Sequence, residues 1–254
     1  RQMCIRDRSM YAANVSASER LARAALDAGV ERMVYTSSVA VLGHYADGRV
    51  ADEAAPSRLA DMIGHYKRSK FMAEEALQQL CQNESAPIVI VNPSTPVGPA
   101  DRKPTPTGRL VRDAAAGKMP AYVDTGLNVV HVDDVAMGHW QAYLHGEPGQ
   151  RYILGGDNLS LQAILTRIAG LTGKRSPLFR IPRKMLFPLA WAAENVVRAR
   201  GRGTPLVTMD ELRMAAHKMY FSSQKAEEML HYVHRPAEEA LRDAVRWFAE
   251  NHYL

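Results

Sequence analysis

Tyr66 and Lys70 lie four residues apart in Tyr66-Lys67-Arg68-Ser69-Lys70, and on a helix that spacing stacks them on one face. The stripe continues through Ala73, Leu77 and Leu80, all apolar, so this face is expected to turn toward a core. A lysine on such a face calls for chemistry. A phenol titrates at about 10 in water, too high for a base at neutral pH, and a nearby ammonium favours the phenolate. Upstream, Val34-Tyr35-Thr36-Ser37-Ser38 reads as a buried strand ending in small hydroxyls. A serine there can hold a substrate oxygen while the phenol exchanges its proton. Alcohol–ketone interconversion needs these parts, together with a hydride carrier across the reacting carbon.

The elements expected to position these groups alternate strand and helix. Leu21, Ala24, Ala25 and Ala28 form a helical stripe closed by Gly29, a residue suited to ending a helix. Strands follow at 32–36 and 88–92, with the Tyr66 helix over 66–82 between them. Next come a proline-rich loop at 93–106, a helix over 107–116, a strand at 128–132, a helix from 133 and a strand at 152–154. That order predicts an α/β fold built of parallel βαβ units. Long loops after parallel strands often carry binding groups. Beyond 156, helices near 160–172, 184–199, 208–217 and 236–250 interleave with short strands at 179–181 and 219–221, the pattern of a small α/β lobe. The domain expectation is a leader at 1–8, a main domain at 9–155 and a lobe at 156–254, with further lobe segments around 99–130.

The bulk numbers exclude more than they assert. The chain has 254 residues and a net charge of +5, its basic surplus scattered rather than run together. Cys4 and Cys81 offer neither a disulfide framework nor a zinc spacing, which suits a reducing cytoplasm. The histidines show no ligand spacing, so no metal is expected. No secretory signal is visible. The apolar run from Met185 to Ala193 is broken by Pro188 and too short to span a membrane. Flanked by Arg183-Lys184 and by Arg198 to Arg202, it reads as a buried helix of the lobe or as an interfacial helix in weak contact with a membrane surface. Arg102, Lys103, Arg109 and Arg112 could grip a diphosphate or form a solvated basic face. Arg198, Arg200 and Arg202 are expected at the surface. Nucleic-acid binding would want interleaved aromatics, and none lies near them. His131 precedes Asp133-Asp134 and could be drawn as an acid/base group, but Asp133 reads as an ordinary helix N-cap.

Taken together, the motifs resemble the extended short-chain dehydrogenase/reductases, the NAD-dependent epimerase/dehydratase family. The matching pieces are Tyr11-Ala12-Ala13-Asn14-Val15, Thr36-Ser37-Ser38-Val39-Ala40-Val41-Leu42-Gly43, Tyr66-x-x-x-Lys70, Asn92-Pro93-Ser94 and His131-Val132-Asp133-Asp134-Val135-Ala136. The segments 92–99, 103–108 and 121–128 are most similar to the hopanoid-associated sugar epimerases. The resemblance implies the C-terminal part of a Rossmann-like doubly wound parallel sheet with a small α/β substrate lobe. It also implies NAD or NADP as cofactor. Tyr66 would be the acid/base, Lys70 its partner and a holder of the nicotinamide ribose, and Ser38 the binder of the reacting oxygen. Asn14, Thr36, Ser37, Val91, Pro93 and Ser94 would lie at the cofactor, and Asn92 and Arg109 at the substrate. A cytoplasmic homodimer paired through the Tyr66 helix is the family default.

On that resemblance the expected activity is epimerisation or oxidoreduction at a hydroxyl or ketone of a sugar or nucleotide-sugar, tied to hopanoid synthesis. A dihydroflavonol-reductase-like ketone reductase uses the same tyrosine and serine, and a non-catalytic binding module is the reading of another class. One departure matters. The family opens with a strand and a GxxGxxG turn whose amides cradle the cofactor pyrophosphate, and no such spacing sits on a strand-to-helix turn of this sequence. The reading is therefore of an N-terminally truncated chain whose leader is a cloning or sequencing artefact. The strand before Ser38 then becomes an ill-protected sheet edge, and the chain is expected to bind cofactor weakly and to aggregate.

Overall fold

Six consecutive residues of one strand, β2 (Ile88–Pro93), are all buried, as a β-branched run must be when helices cover both faces of a parallel sheet. The computed structural model, which describes residues 8–200 and 209–254, places β2 at the centre of a three-stranded sheet. Residues 1–7 of the leader expected at 1–8 and Arg202 lie outside the described residues, as do the side chains of Arg198 and Arg200. β1 (Met33–Thr36) and β6 (Arg151–Leu154) flank β2, both parallel to it, with Thr36 opposite Val91 and Tyr152 opposite Val91 on the other side.

Alternation along β2 sorts the core into two layers. Ile88 and Ile90 pack with Tyr35, with Ala22 of helix α1 (Ala17–Asp27) and with Ala73, Leu77 and Leu80 of helix α2 (Gly64–Glu84). Val89 and Val91 pack oppositely, with Tyr152 and Leu154 of β6, Val135 and Ala142 of helix α4 (Val132–His145), and Ala226 and Leu230 of helix α8 (Gln224–Leu230). Helices on both faces of an all-parallel sheet make the fold doubly wound. The stripe read for α2 sits in the core, with Ala73, Leu77 and Leu80 at most 4% exposed. The stripe read for α1 does not. Leu21 is 62% exposed, and the helix instead buries Ala22 with Leu26 behind it, one residue further on. Small alanines all round gave the sequence no contrast between faces. α4 approaches β6 so closely that a Cβ on Gly138 would meet Leu154 at 2.8 Å. Its N-cap is His131 rather than Asp133: the imidazole Nδ1 accepts from the Asp133 amide at 3.1 Å.

The chain divides into two compact units. Residues 1–96, 130–156 and 221–235 form the first; 97–129, 157–220 and 236–254 form the second. Residues 221–235, counted with the lobe in the sequence reading, return to the first unit because α8, a helix too short to show periodicity, packs on β6. In the second unit, helices α3 (Pro106–Ala115), α5 (Leu161–Thr172) and α9 (Ala237–Glu250) enclose Val111, Ile164, Ile168, Leu241 and Phe248. The antiparallel pair β5 (Gly126–His131) and β7 (Asp157–Ser160) joins β3 (Thr95–Val97) in a second sheet; β4 (Ala121–Tyr122) pairs with β8 (Phe179–Arg180). The strand expected at 219–221 is reduced to isolated bridges of Met219 to Leu127 and of Phe221 to Ala51. Helices α6 (Arg183–Arg200) and α7 (Met209–Met214) pack on each other. Among the described residues no helix is long and apolar enough to cross a membrane.

Candidate active site

The expected acid/base groups converge at the carboxyl end of β1, where ligands of doubly wound sheets bind. Ser38 follows the strand, caps the short 3-10 turn Val39–Val41, and accepts a hydrogen bond from the Ala40 amide at 3.1 Å. The same hydroxyl lies close enough to the Tyr66 phenol to favour its ionised form. One helical turn on, Lys70 donates from Nζ to the Thr36 carbonyl at 3.2 Å. Hydroxyl, phenol and ammonium are thus brought together by two elements, β1 and α2.

The electrostatics differ from the expectation of an acidified tyrosine. Partial burial pushes the Tyr66 phenol above its ordinary value, and the nearby Ser38 hydroxyl pulls it partly back. Burial likewise lowers the Lys70 ammonium, against a raising pull from Glu74. With Lys70 engaged by the Thr36 carbonyl, Tyr66 stands protonated at neutral pH.

Asn92 was expected at the substrate, yet it is wholly buried. Its Nδ2 donates to the Ser38 carbonyl at 3.1 Å and to Glu74 Oε2 at 2.8 Å. Glu74 stands on the Tyr66–Lys70 stripe four residues past the lysine, and its other oxygen accepts from Arg151 Nη1 at 3.2 Å. This buried amide and carboxylate tie the serine turn to the tyrosine helix. Sequence reading missed Glu74; its place at the end of a Tyr–Lys–Glu spacing of four was the available signal. Val91 also leaves the expected list of cofactor contacts, because it is fully buried in the α4-side core. Asn14 donates to Ser69 Oγ at 2.9 Å, which in turn donates to the Tyr66 carbonyl, so it reaches the site through the backbone of α2. Thr36 presents its hydroxyl to His139 Nε2 at 2.9 Å. Arg109 belongs to the second unit, where it donates to the Pro104 carbonyl at 3.2 Å. Arg112, of the same basic group, pairs with Asp113. His131 is 1% exposed, and its Nδ1 is met by the Asp133 amide and by Arg235, a structural setting.

The residues present fit one end of a nicotinamide dinucleotide. Ser37 Oγ and Ser94 Oγ, beyond the adjacent strands β1 and β2, are buried without a hydrogen-bond partner among the described residues. Pro93 beside them is buried too. These are polar atoms placed to receive a ligand. A pyrophosphate cradle is another matter. Close approaches at the glycines come from the protein's own atoms, with Pro56 against Gly43, Leu154 against Gly138 and Val89 against Gly146. A polar cleft of about 550 Å³ lined by Glu53, Gln78, Arg151 and Lys225 opens at the amino end of β6, the wrong end of the sheet for this chemistry.

A doubly wound parallel sheet with serine, tyrosine and lysine gathered past a strand end defines an enzyme of the short-chain dehydrogenase/reductase type. Residues 4–155 match the NAD dependent epimerase/dehydratase family, and the chain belongs to that family. It is similar to a putative dihydroflavonol 4-reductase of Synechocystis sp., 44% identical over 97% of this chain and 72% of that protein. It is also similar to sterol demethylase protein B of Methylococcus capsulatus, 29% identical over 95% of this chain and 73% of that one. The crystal structure of a nucleoside-diphosphate-sugar epimerase from Pseudomonas aeruginosa superposes with a TM-score of 0.79, at 26% identity over 97% of this chain and 76% of that one.

Proposed function

We propose that this chain carries the acid/base half of a nicotinamide-dependent epimerase/oxidoreductase that interconverts a hydroxyl and a ketone on a sugar or nucleotide-sugar. The observation that carries the reading is the gathering of Ser38, Tyr66 and Lys70 past the end of β1, where Lys70, one turn beyond Tyr66 on the same helix, binds the Thr36 carbonyl. Ser38 would hold the reacting oxygen. Tyr66 would deliver its phenolic proton to that oxygen in reduction and take it back in oxidation. Lys70 would bind the nicotinamide ribose beside the tyrosine, with Ser94 and Ser37 at the ring. The dinucleotide supplies hydride transfer when bound. The sugar reading, with its tie to hopanoid synthesis, is supported by the family and by the likeness to a nucleoside-diphosphate-sugar epimerase. A second reading, reduction of a small ketone, is favoured by the 44% identical relative named as a reductase.

The test is turnover of UDP-sugars and of small ketones with NAD(H) and NADP(H), alongside calorimetric titration of both cofactors. Tyr66→Phe is expected to lower the rate about 10²- to 10⁴-fold. An unchanged rate overturns the assignment. The phenol can be followed without any cofactor, by ultraviolet difference titration against Tyr66→Phe. It should titrate above ordinary tyrosine, and Ser38→Ala should raise it further by removing the neighbouring hydroxyl that lowers it.

A further inference from the structure

Helix α6 is apolar on two sides, one turned inward and one exposed. One side is fastened to α7: Arg183 Nη1 donates to the Leu212 carbonyl at 3.1 Å, Glu194 Oε1 accepts from the Met209 amide at 2.8 Å, and Ala190 between them is fully buried. Residues 183, 190 and 194 fall on one helical face. The opposite face carries Met185, Pro188, Leu189, Ala192 and Val196, all exposed and all apolar. Met185 is 69% exposed, Leu189 57% and Val196 46%; Trp191, on the flank of the stripe, is 64% exposed. Leu178 and Phe179, just before the helix, are 81% and 70% exposed. The buried lobe helix expected from sequence therefore leaves its apolar stripe outside. Apolar residues gathered in this way mark an interaction surface.

Charge indicates what covers it. From Asn158 to Ala193 the sequence holds no aspartate or glutamate, while Lys174, Arg175, Arg180, Arg183 and Lys184 crowd the approach to the stripe. Lys174, Arg175 and Lys184 are exposed, and Arg180 is paired with Asp124 at 3.1 Å. An exposed apolar stripe, a tryptophan at its flank and a border with a basic excess match the interface of an anionic bilayer. A second copy of the chain would set like charges against each other across the same patch. We propose that α6 with Leu178 and Phe179 is a peripheral membrane-docking surface. It seats its apolar stripe among the headgroups of an anionic lipid layer, without spanning it. This goes beyond the oxidoreductase reading and stands without it.

The test is flotation of the full chain with vesicles of phosphatidylcholine, alone or mixed with phosphatidylglycerol, at low and at high salt. Binding is expected to the anionic vesicles only, weakening as salt rises. The pair Leu189→Asp and Val196→Asp, at exposed positions and checked for folding by circular dichroism, should weaken it about tenfold or more. Lys184→Glu should weaken it about fivefold or more. A blue shift of tryptophan emission on binding should vanish in Trp191→Phe while flotation persists. The proposal is overturned if the chain ignores anionic vesicles at low salt, or if the two aspartates leave flotation unchanged. A dimer in sedimentation equilibrium that those aspartates abolish, without flotation, would assign the stripe to a second copy.

Discussion

The two edges of the parallel sheet are finished differently. Along β6, the outward-facing backbone groups are met by side chains. Glu53 accepts from the Ile153 amide at 2.7 Å, Ser223 from the Gly155 amide at 3.1 Å, and Lys225 donates to the Arg151 carbonyl at 3.0 Å. Arg151 binds back to the Glu53 carbonyl and to Glu74, so the closure is braced against α2. Along β1, the amides of Met33 and Ser37 point into the sheet, to Pro87 and Val91, which turns Val34 and Thr36 outward. Among the described residues no strand pairs with that side, and of its groups the Thr36 carbonyl is met by Lys70. One edge is sealed by side chains from loop and helix; the other, among the described residues, carries backbone groups that no strand meets. The site residues stand at the open edge.

The comparison is broken most directly by placing the same residue on both edges. Ile153→Pro removes an amide that serves a buried carboxylate and should cost about 4 kcal/mol. Val34→Pro removes an amide with no partner strand among the described residues and should cost about 1 kcal/mol. Urea unfolding of both variants measures the difference, and equal costs would mean that β1 is covered. Val34→Pro should also reduce light scattering in concentrated samples, since it blunts that edge. Next in size is Ser223→Ala. It strands the buried Gly155 amide at about 1–2 kcal/mol, read as faster native-state hydrogen exchange there and not at Val34.

A smaller effect appears as pH dependence. Burial raises the Glu53 carboxyl above its ordinary value of 4.5, against the lowering bond from Ile153. A raised folded value means the folded state binds the proton more readily. The stabilising contribution is therefore full below 4.5 and is lost as pH rises through the folded value. Glu53→Gln, which keeps an acceptor for Ile153, should flatten the melting temperature over that window. An unaltered slope would place the dependence elsewhere. Smallest of all, Arg23→Ala should leave the melting temperature unchanged, because the Arg23–Glu84 pair at 2.9 Å lies in solvent.

What the sequence disclosed follows from contrast between neighbouring residues. The α2 stripe was legible because Ala73, Leu77 and Leu80 alternate with charged residues, and β2 because its apolar run is unbroken. The face of α1 was misread because alanines on every side give no contrast. Asn92 and Val91 were misplaced for another reason. A motif tells which residues gather at a strand end, but which of them point inward depends on the register of β2 against β1 and β6. Glu53 and Ser223 could not be linked to β6 at all, since closing an edge with distant side chains leaves no local pattern.

The buried amide of Asn92 has a consequence for how this protein can vary. Ser38 is held from β2 through Asn92, and from its own turn through Ala40, not by the loop that follows. The stretch from Gly43 to Ile63 can therefore be lengthened, shortened or exchanged without moving the serine, provided Glu53 still reaches β6 and Ala51 still pairs with Phe221. Grafted loops there would change what approaches the hydroxyl while its alignment stayed fixed.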